Sequence, residues 1–276
     1  MMQFYVDDII KTALLEDINY IDQAADNLLG DDQVSTARFI AKAEGVVCGV
    51  DVALRVFSLL GDFKIEKYTN DGDRVKKGDI IAKISGPTKL LLKGERTSLN
   101  LIQHMSGIAT MTAEAAELIK GTRATVTDTR KTLPGLRALQ KYAVTCGGGK
   151  NHRFNLSDAA MLKDNHIDAC GSITKAVEIL RSKMGHTVKI EVETRNLEEV
   201  KEALDTKCEI IMLDNMTTDM MKQAVEMAGG KALLEASGNI TAETIRPVAE
   251  TGVDIISIGA LTHSVKAFDI SLKIEK

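Results

Sequence analysis

The sequence predicts an α/β protein, with an N-terminal α+β domain of sandwich-like build followed by an incomplete α/β barrel of about six strands. Three observations carry this. The second half repeats short apolar runs with helical segments between them. The first half instead alternates one helix with short strands and glycine-marked turns. A long helical pattern that begins at Glu95 joins the two. Strands alternating with helices imply a parallel sheet. At 276 residues, the chain has material for one large domain or two modest ones. The expected division is an N-terminal domain over residues 1–105, rejoined by 267–276, and a barrel over 106–266.

Taken in order, the opening MMQFYVDDIIKTALLEDIN has acids inside its apolar pattern and no basic start, so it reads as an amphipathic helix of the mature protein rather than a signal peptide. In GDRVKKGDIIAKISGPTKLLL, Gly72, Gly78, Gly86 and Pro87 punctuate apolar runs, a strand–turn–strand pattern. From Glu95, Leu99, Ile102, Met105, Ile108, Met111, Ala115 and Leu118 recur at helical spacing, with the methionines as core filler. Six apolar runs follow: 124–127, 159–162, 188–192, 209–213, 232–234 and 254–258. Their starts lie about 35, 29, 21, 23 and 22 residues apart, the rhythm of βα units. Between the later runs lie LEEVKEALDT, TTDMMKQAVEMAG and TAETIRPVAETG. Six strands rather than eight make the barrel an incomplete one.

Composition narrows the function. With 35 Lys and Arg against 39 Asp and Glu, the chain carries a formal charge of −4 and no global basic field, which excludes non-specific nucleic-acid binding. No apolar run approaches the roughly 20 residues a bilayer span needs, so no membrane partner is expected. Cys48, Cys146, Cys170 and Cys208 are scattered without a CxxC pair. The expectation is buried thiols in a cytoplasmic protein, with no disulfide framework and no structural zinc site.

The polar residues are placed systematically. The apolar runs hand over to Asp128-Thr129-Arg130-Lys131, Lys163-Asp164-Asn165-His166, Glu193-Thr194-Arg195, Asp214-Asn215, Glu235-Ala236-Ser237-Gly238-Asn239 and Gly259-Ala260. In α/β sheets, ligands bind at the C-terminal strand ends. One charged strand end is a capped turn; five that converge on one rim make a site.

Its character follows from the stretch DTRKTLPGLRALQKYAVTCGGGKNHR, residues 128–153, where six basic residues face one acid, Asp128. Arg130, Lys131, His152, Arg153 and Lys163 offer five cationic or donor groups, so the ligand is strongly anionic, carrying phosphate and carboxylate together. Arg137 and Lys141, four apart, read as a solvated helix face. Glu193 and Asp214 oppose this field. They suit sugar hydroxyls or Mg²⁺, and equally suit neutralising the lysines. Ser237-Gly238-Asn239 and Ile258-Gly259-Ala260 are small enough for backbone N–H groups to approach an anion. Cys146-Gly147-Gly148-Gly149-Lys150 fails the spacing of a nucleotide phosphate loop, since no Ser or Thr follows Lys150. It reads as a mobile segment that brings His152 and Arg153 to the site.

These residues carry a resemblance. DTRKTLPGLRALQKYAV, GGGKNHRFNLSDAAMLKDNHI, EVET, IMLDNM, LEASGNIT and ISIGALTHS resemble the quinolinate phosphoribosyltransferase family, and ERTSLNLIQHMSGIAT is similar to its inter-domain helix. The likeness covers essentially the full chain, more loosely over the first 90 residues. It implies transfer of phosphoribosyl from phosphoribosyl pyrophosphate to the ring nitrogen of quinolinate. Decarboxylation accompanies the transfer, giving nicotinate mononucleotide, pyrophosphate and CO₂ in NAD biosynthesis, with Mg²⁺ as cofactor. The resemblance places Arg130, His152, Arg153 and Lys163 at the quinolinate carboxylates, with Arg96 supplied by the partner subunit of a homodimer. It sets Lys131 between the substrates and counts Thr129 among the binding residues. Glu193 and Asp214 then face ribose and Mg²⁺, while Ser237, Gly238, Asn239, Ile258, Gly259 and Ala260 face the 5′-phosphate. Lys131, Glu193 and Asp214 are its catalytic group.

Lysines on barrel strands also fit a Schiff-base lyase of aldolase type, with Lys131 or Lys163 as nucleophile. Borohydride trapping separates the two, because phosphoribosyl transfer forms no imine. The glycine-punctuated hairpins of residues 72–86 fit a carrier-like module, but without a lysine presented at a tight turn. A transferase acting on another pyridine or azole acid shares every feature named above.

Overall fold

The computed structural model describes residues 3–275; Met1 and Met2 of the expected first helix and Lys276 of the expected returning segment lie outside the described residues. The chain runs α1 (Gln3–Asp17), α2 (Ala25–Leu28), β1 (Val34–Ala41), β2 (Gly45–Val46), α3 (Val50–Leu60), β3 (Lys64–Lys67), β4 (Arg74–Val75), β5 (Ile80–Pro87) and α4 (Thr88–Leu118). There follow β6 (Thr125–Thr127), α5 (Arg137–Cys146), β7 (Ala160–Leu162), α6 (Asp164–Cys170), α7 (Ile173–Lys183), β8 (Ile190–Thr194) and α8 (Leu197–Asp205). Last come β9 (Ile210–Asp214), α9 (Thr218–Ala228), β10 (Leu233–Ser237), α10 (Ile245–Ala249), β11 (Ile255–Ser257), α11 (Ala260–His263) and β12 (Ile270–Ile274).

The chain divides into two compact units. The first holds Met1–Ala113, Thr132–Gly148 and Leu261–Lys276, the second Glu114–Lys131 and Gly149–Ala260. The first unit is built on an antiparallel sheet ordered β12-β1-β5-β3. Along β1, Ala37, Phe39 and Ala41 are buried in alternation, as one covered face of an antiparallel strand requires. β12 pairs with β1 from Ala37↔Ile274 to Ala41↔Ile270, so the end of the chain completes this sheet. Phe57 meets Phe39 and Phe63 edge-on, at centroid distances of 6.1 and 5.5 Å. On α1, Val6, Ile10 and Leu14 are buried, and Asp7 accepts two hydrogen bonds from Arg55 of α3 at 2.8 and 2.7 Å.

Helix α4 begins at Thr88, seven residues before the expected Glu95. Gly94 is the reason the pattern looks interrupted there: a Cβ at this position would meet Phe57 at 2.8 Å, so the glycine allows close packing rather than breaking the helix. Leu99, Ile102, Met105 and Ile108 are buried as their spacing predicts, whereas Leu118, at the last turn, is exposed.

Two expectations for residues 132–148 are overturned. Lys141 is fully buried rather than solvated, and Arg137 is half-buried, its Nε donating to Thr132 Oγ1 at 2.9 Å. The buried face of α5 is wide, taking in Leu139, Gln140, Lys141, Ala143 and Val144. A lysine there keeps its charge only with a partner inside, which i,i+4 spacing does not reveal. The glycine run is not a loose tether either. Gly147 is buried, and a Cβ on it would strike the Ala109 carbonyl and Thr112.

The second unit contains a six-stranded sheet ordered β6-β11-β10-β9-β8-β7, and every pairing is parallel. Sequence neighbours lie side by side from β7 to β11, and β6 closes on β11, leaving a seam between β6 and β7: the incomplete barrel. Beyond the β6 edge, Lys150 forms a bridge to Thr127. Connecting helices begin on side-chain caps: Ser172 for α7, Asn196 for α8 and Thr217 for α9. Gly171 and Gly229, at φ 94° and 50°, end α6 and α9 in the left-handed conformation.

Several strands extend further than the apolar runs. β8 reaches Thr194 and β10 reaches Ser237, so Glu193, Glu235 and Ser237 lie within strands rather than after them. Among the described residues, no helix is long and apolar enough to cross a membrane.

Candidate active site

The second unit holds a cavity of about 500 Å³, formed by alternate residues of its strands and by the loops that follow them. Met161 comes from β7, Glu193 from β8, Met212 and Asp214 from β9, Glu235 and Ser237 from β10, and Ser257 from β11. Residues two apart on a strand share a face, so these side chains point together. The register sets Glu193, Met212 and Glu235 in one row and Asp214 with Ser237 in the next.

Thr129, Arg130, Lys131, His152, Arg153, Lys163, Gly238, Asn239 and Asn215 complete the lining. Eleven of the expected binding residues therefore meet in one place. Ile258, Gly259 and Ala260 are not among the lining residues; the β11 end contributes Ser257 instead, and Ile258 is buried. Arg96 is exposed on α4 of the first unit and is likewise not in the lining.

The cavity has a cationic side. Arg153 donates to the Ala159 carbonyl at 3.1 Å. Burial, and then the charge of Arg130, lower its pKa from the ordinary guanidinium value. Glu191 and Asp158 act in the opposite sense, and a bound anion would relieve the repulsion between the two guanidiniums further. The acidic side is Glu193 and Asp214. Burial raises the Glu193 carboxyl; Lys163, at 4.0 Å, counters this, while Asp214 and Asp164 add to it. A divalent cation relieves such crowding, and the all-oxygen donor pair suits Mg²⁺.

Asp214 is held by a chain of amides. Asn215 Nδ2 donates to Asp214 Oδ2 at 2.9 Å, and Asn239 Nδ2 to Asn215 Oδ1 at 3.1 Å. Both asparagines adopt positive φ, 53° and 50°, a conformation costly for residues with a Cβ and common at binding sites. Between them Gly238 sits at φ 101°, and a Cβ there would collide with the Asn215 amide. Any other residue would be strained there.

Beneath the cations lies a layer that apolar-run reasoning misses. Asp128, Glu191 and Glu235 are each at most 1% exposed. Asp128 accepts from the backbone N–H of His152 at 2.9 Å and from Asn151 Nδ2. The Arg153 N–H donates to His152 Nδ1 at 2.8 Å, so the imidazole proton sits on Nε2. That nitrogen lies 3.0 Å from Glu191 and 3.5 Å from Glu235. Burial foremost, then the charge of Glu191, pushes Glu235 up to about 7. His152, expected only at the ligand, is thus also the link between the acids and the backbone of Arg153. Glu191 was detectable in the sequence: in IEVET it alternates with Glu193, which puts both on the same strand face.

Comparison with known proteins identifies the family. Residues 22–106 match the N-terminal domain model of quinolinate phosphoribosyl transferase, and residues 108–273 match its C-terminal domain model. A probable nicotinate-nucleotide pyrophosphorylase [carboxylating] of Bacillus subtilis (strain 168) is 45% identical over 262 residues, 94% of this chain and 90% of that protein. A chloroplastic nicotinate-nucleotide pyrophosphorylase [carboxylating] of Arabidopsis thaliana is 44% identical, across 97% of this chain and 82% of its own length. The crystal structure of NadC from Streptococcus pyogenes superposes with a TM-score of 0.96 at 41% identity, covering 100% of this chain and 99% of that one. With both domain models matched in order and a pocket charged as this one is, the chain belongs to the quinolinate phosphoribosyltransferase family.

Proposed function

We propose that this chain catalyses the decarboxylating transfer that its relatives' names describe: quinolinate and phosphoribosyl pyrophosphate give nicotinate mononucleotide, pyrophosphate and CO₂, the entry to NAD in the cytoplasm. The observation that carries it is the division of one cavity into a guanidinium side and a carboxylate side. Quinolinate bears two adjacent carboxylates, and Arg130, Arg153 and Lys163 match them, with His152 beside Arg153. Phosphoribosyl pyrophosphate brings a ribose and its phosphates. Glu193 and Asp214 face the ribose hydroxyls, Gly238 and Asn239 the 5′-phosphate, and Lys131 lies between the two substrates. Glu193 and Asp214, together with the substrate phosphates, would hold Mg²⁺. When bound, the ion supplies charge neutralisation for the departing pyrophosphate.

The chain's own contribution is positioning and electrostatics. Loss of pyrophosphate leaves an oxocarbenium-like ribosyl carbon, which the Glu193 and Asp214 carboxylates stabilise. The quinolinate nitrogen, oriented by the arginines, supplies the electron pair of the new C–N bond. The pyridinium so formed accepts the electrons of the 2-carboxylate bond as CO₂ leaves, and that ring carbon then takes up a proton. No strong general base is needed. Arg96 reaches the site from the partner subunit of a homodimer, consistent with its exposed position on α4.

The test compares quinolinate with nicotinate. Nicotinate lacks one carboxylate and strands donors in a desolvated pocket, at roughly 1–3 kcal/mol each. Its kcat/KM should fall at least roughly a hundredfold, and only quinolinate should release CO₂. Comparable turnover of both acids rejects the assignment.

A further inference from the structure

Cys48 and Cys146 are 98 positions apart, yet the first unit brings their sulfurs and a carboxylate oxygen of Asp71 within 4.8 Å of one another. Cys48 is fully buried just before α3, and Cys146 is the half-buried last residue of α5. Asp71 lies in the turn between β3 and β4, and both its oxygens are already oriented. Oδ1 accepts from the Val50 N–H at 2.9 Å, and Oδ2 from the Tyr142 hydroxyl at 3.0 Å. Asp71 and Tyr142 also line a cavity of about 320 Å³ in the same unit.

We propose that Cys48, Asp71 and Cys146 form a binding site for a thiophilic divalent cation of the zinc class, made wholly of first-unit residues. Zn²⁺ bonds sulfur at about 2.3 Å and carboxylate oxygen at about 2.0–2.2 Å, which sets tetrahedral ligand atoms roughly 3.5–3.8 Å apart. Loading would draw the three groups, now within 4.8 Å, to that spacing. Two thiolates select against Mg²⁺ and Ca²⁺. The Tyr142 hydroxyl and Val50 N–H are the outer partners that hold a ligating carboxylate in one orientation. Three protein ligands leave a fourth position to water, so the ion exchanges and the fold does not require it. The ligands come from three separate segments, which is why cysteine spacing in the sequence gives no sign of the site. Loading would fasten the end of α5, directly before the Gly147–Gly149 run that leads to His152 and Arg153.

The experiment uses full-length protein, reduced, stripped with a chelator, and titrated without oxygen with Zn²⁺ or Cd²⁺. The expected result is one ion per chain and, with cadmium, a thiolate charge-transfer band. Zinc should protect Cys146 from iodoacetamide while Cys170, also half-buried, alkylates at an unchanged rate. Cys146→Ser should weaken zinc by more than the roughly hundredfold that loss of an outer partner costs, and Tyr142→Phe by roughly ten- to hundredfold. Glu193→Gln, in the other unit, should keep the thiolate-bound ion. The proposal is overturned if the reduced protein takes up no ion at micromolar free zinc, or if Cys146 alkylates equally with and without zinc. Retention by Cys146→Ser with loss in Glu193→Gln overturns it as well, and so does a Cys48–Cys146 disulfide whose reduced form binds no ion. The alkylation comparison needs only the wild-type chain, so an unfolded variant leaves the test intact.

Discussion

Glu235 occupies an uncomfortable position for an acid. It is buried, Glu191 faces it, Asp128 is near, and His152 Nε2 is its donor neighbour at 3.5 Å. Its ordinary value is 4.5, and in the fold it is pushed up to about 7. Between these values the folded chain keeps a proton that the unfolded chain has lost, so stability falls as pH rises through that window. Glu235→Gln removes the slope. The variant should gain stability relative to the parent between about pH 4.5 and 8, by an amount on the order of 3 kcal/mol. Urea midpoints across that range measure the difference, and a constant offset would mean that Glu235 ionises normally. The cavity's two sides should also separate by calorimetry. Arg153→Ala should mainly weaken quinolinate, and Asp214→Asn mainly phosphoribosyl pyrophosphate with Mg²⁺. Equal loss of quinolinate affinity in both, with cosubstrate binding intact, removes the division of roles. At this scale the exposed ends of strands were legible, because charged residues after an apolar run stand out. Glu191 was legible only through its alternation with Glu193 in IEVET, and the burial of Asp128 was not, since a buried acid shows itself only through the hydrogen bonds and charges around it.

Elements show why an apolar run is an imperfect ruler. β8 and β10 continue past their hydrophobic stretches because their C-terminal residues face a polar cavity, where Glu193, Glu235 and Ser237 are the lining. Six strands and their order along the chain were predictable from spacing, whereas the last residues of each strand depended on what they face. Helix α5 makes the complementary point. Its like-charged pair Arg137 and Lys141 has the spacing of a solvated face, yet Lys141 is among the largest fully buried side chains. Truncating a buried lysine removes packing volume and leaves the groups around its ammonium without it. Lys141→Ala should therefore cost about 3–5 kcal/mol, while Lys201→Ala on the exposed side of α8 should change stability by less than about 0.5 kcal/mol. Chemical denaturation of the two variants side by side decides it. Equal and small losses would mean that the ammonium reaches water.

At the scale of the whole molecule, the basic stretch 128–153 is divided between the two units. Thr129 to Lys131 and His152 with Arg153 line the second unit's cavity, while Thr132–Gly148 folds with the first unit. Arg96, on α4 of the first unit, is exposed and is not in that lining. If it serves the site of a partner chain, each site in a homodimer combines Lys131 of one subunit with Arg96 of the other. Arg96→Ala and Lys131→Ala homodimers then carry two damaged sites each, and both should be nearly inactive. After mixing and subunit exchange, a heterodimer has one site with both lesions and one site with neither. Random reassortment makes half the dimers heterodimers, each with one intact site of its two, so activity should return to about a quarter of the wild-type value. Mass spectrometry of the exchanged dimers reports how far mixing has gone, and activity should rise in step with the heterodimer fraction. If Arg96 acts within its own chain, every site keeps one lesion however complete the exchange. A fully exchanged mixture that stays inactive would show that each subunit builds its site alone.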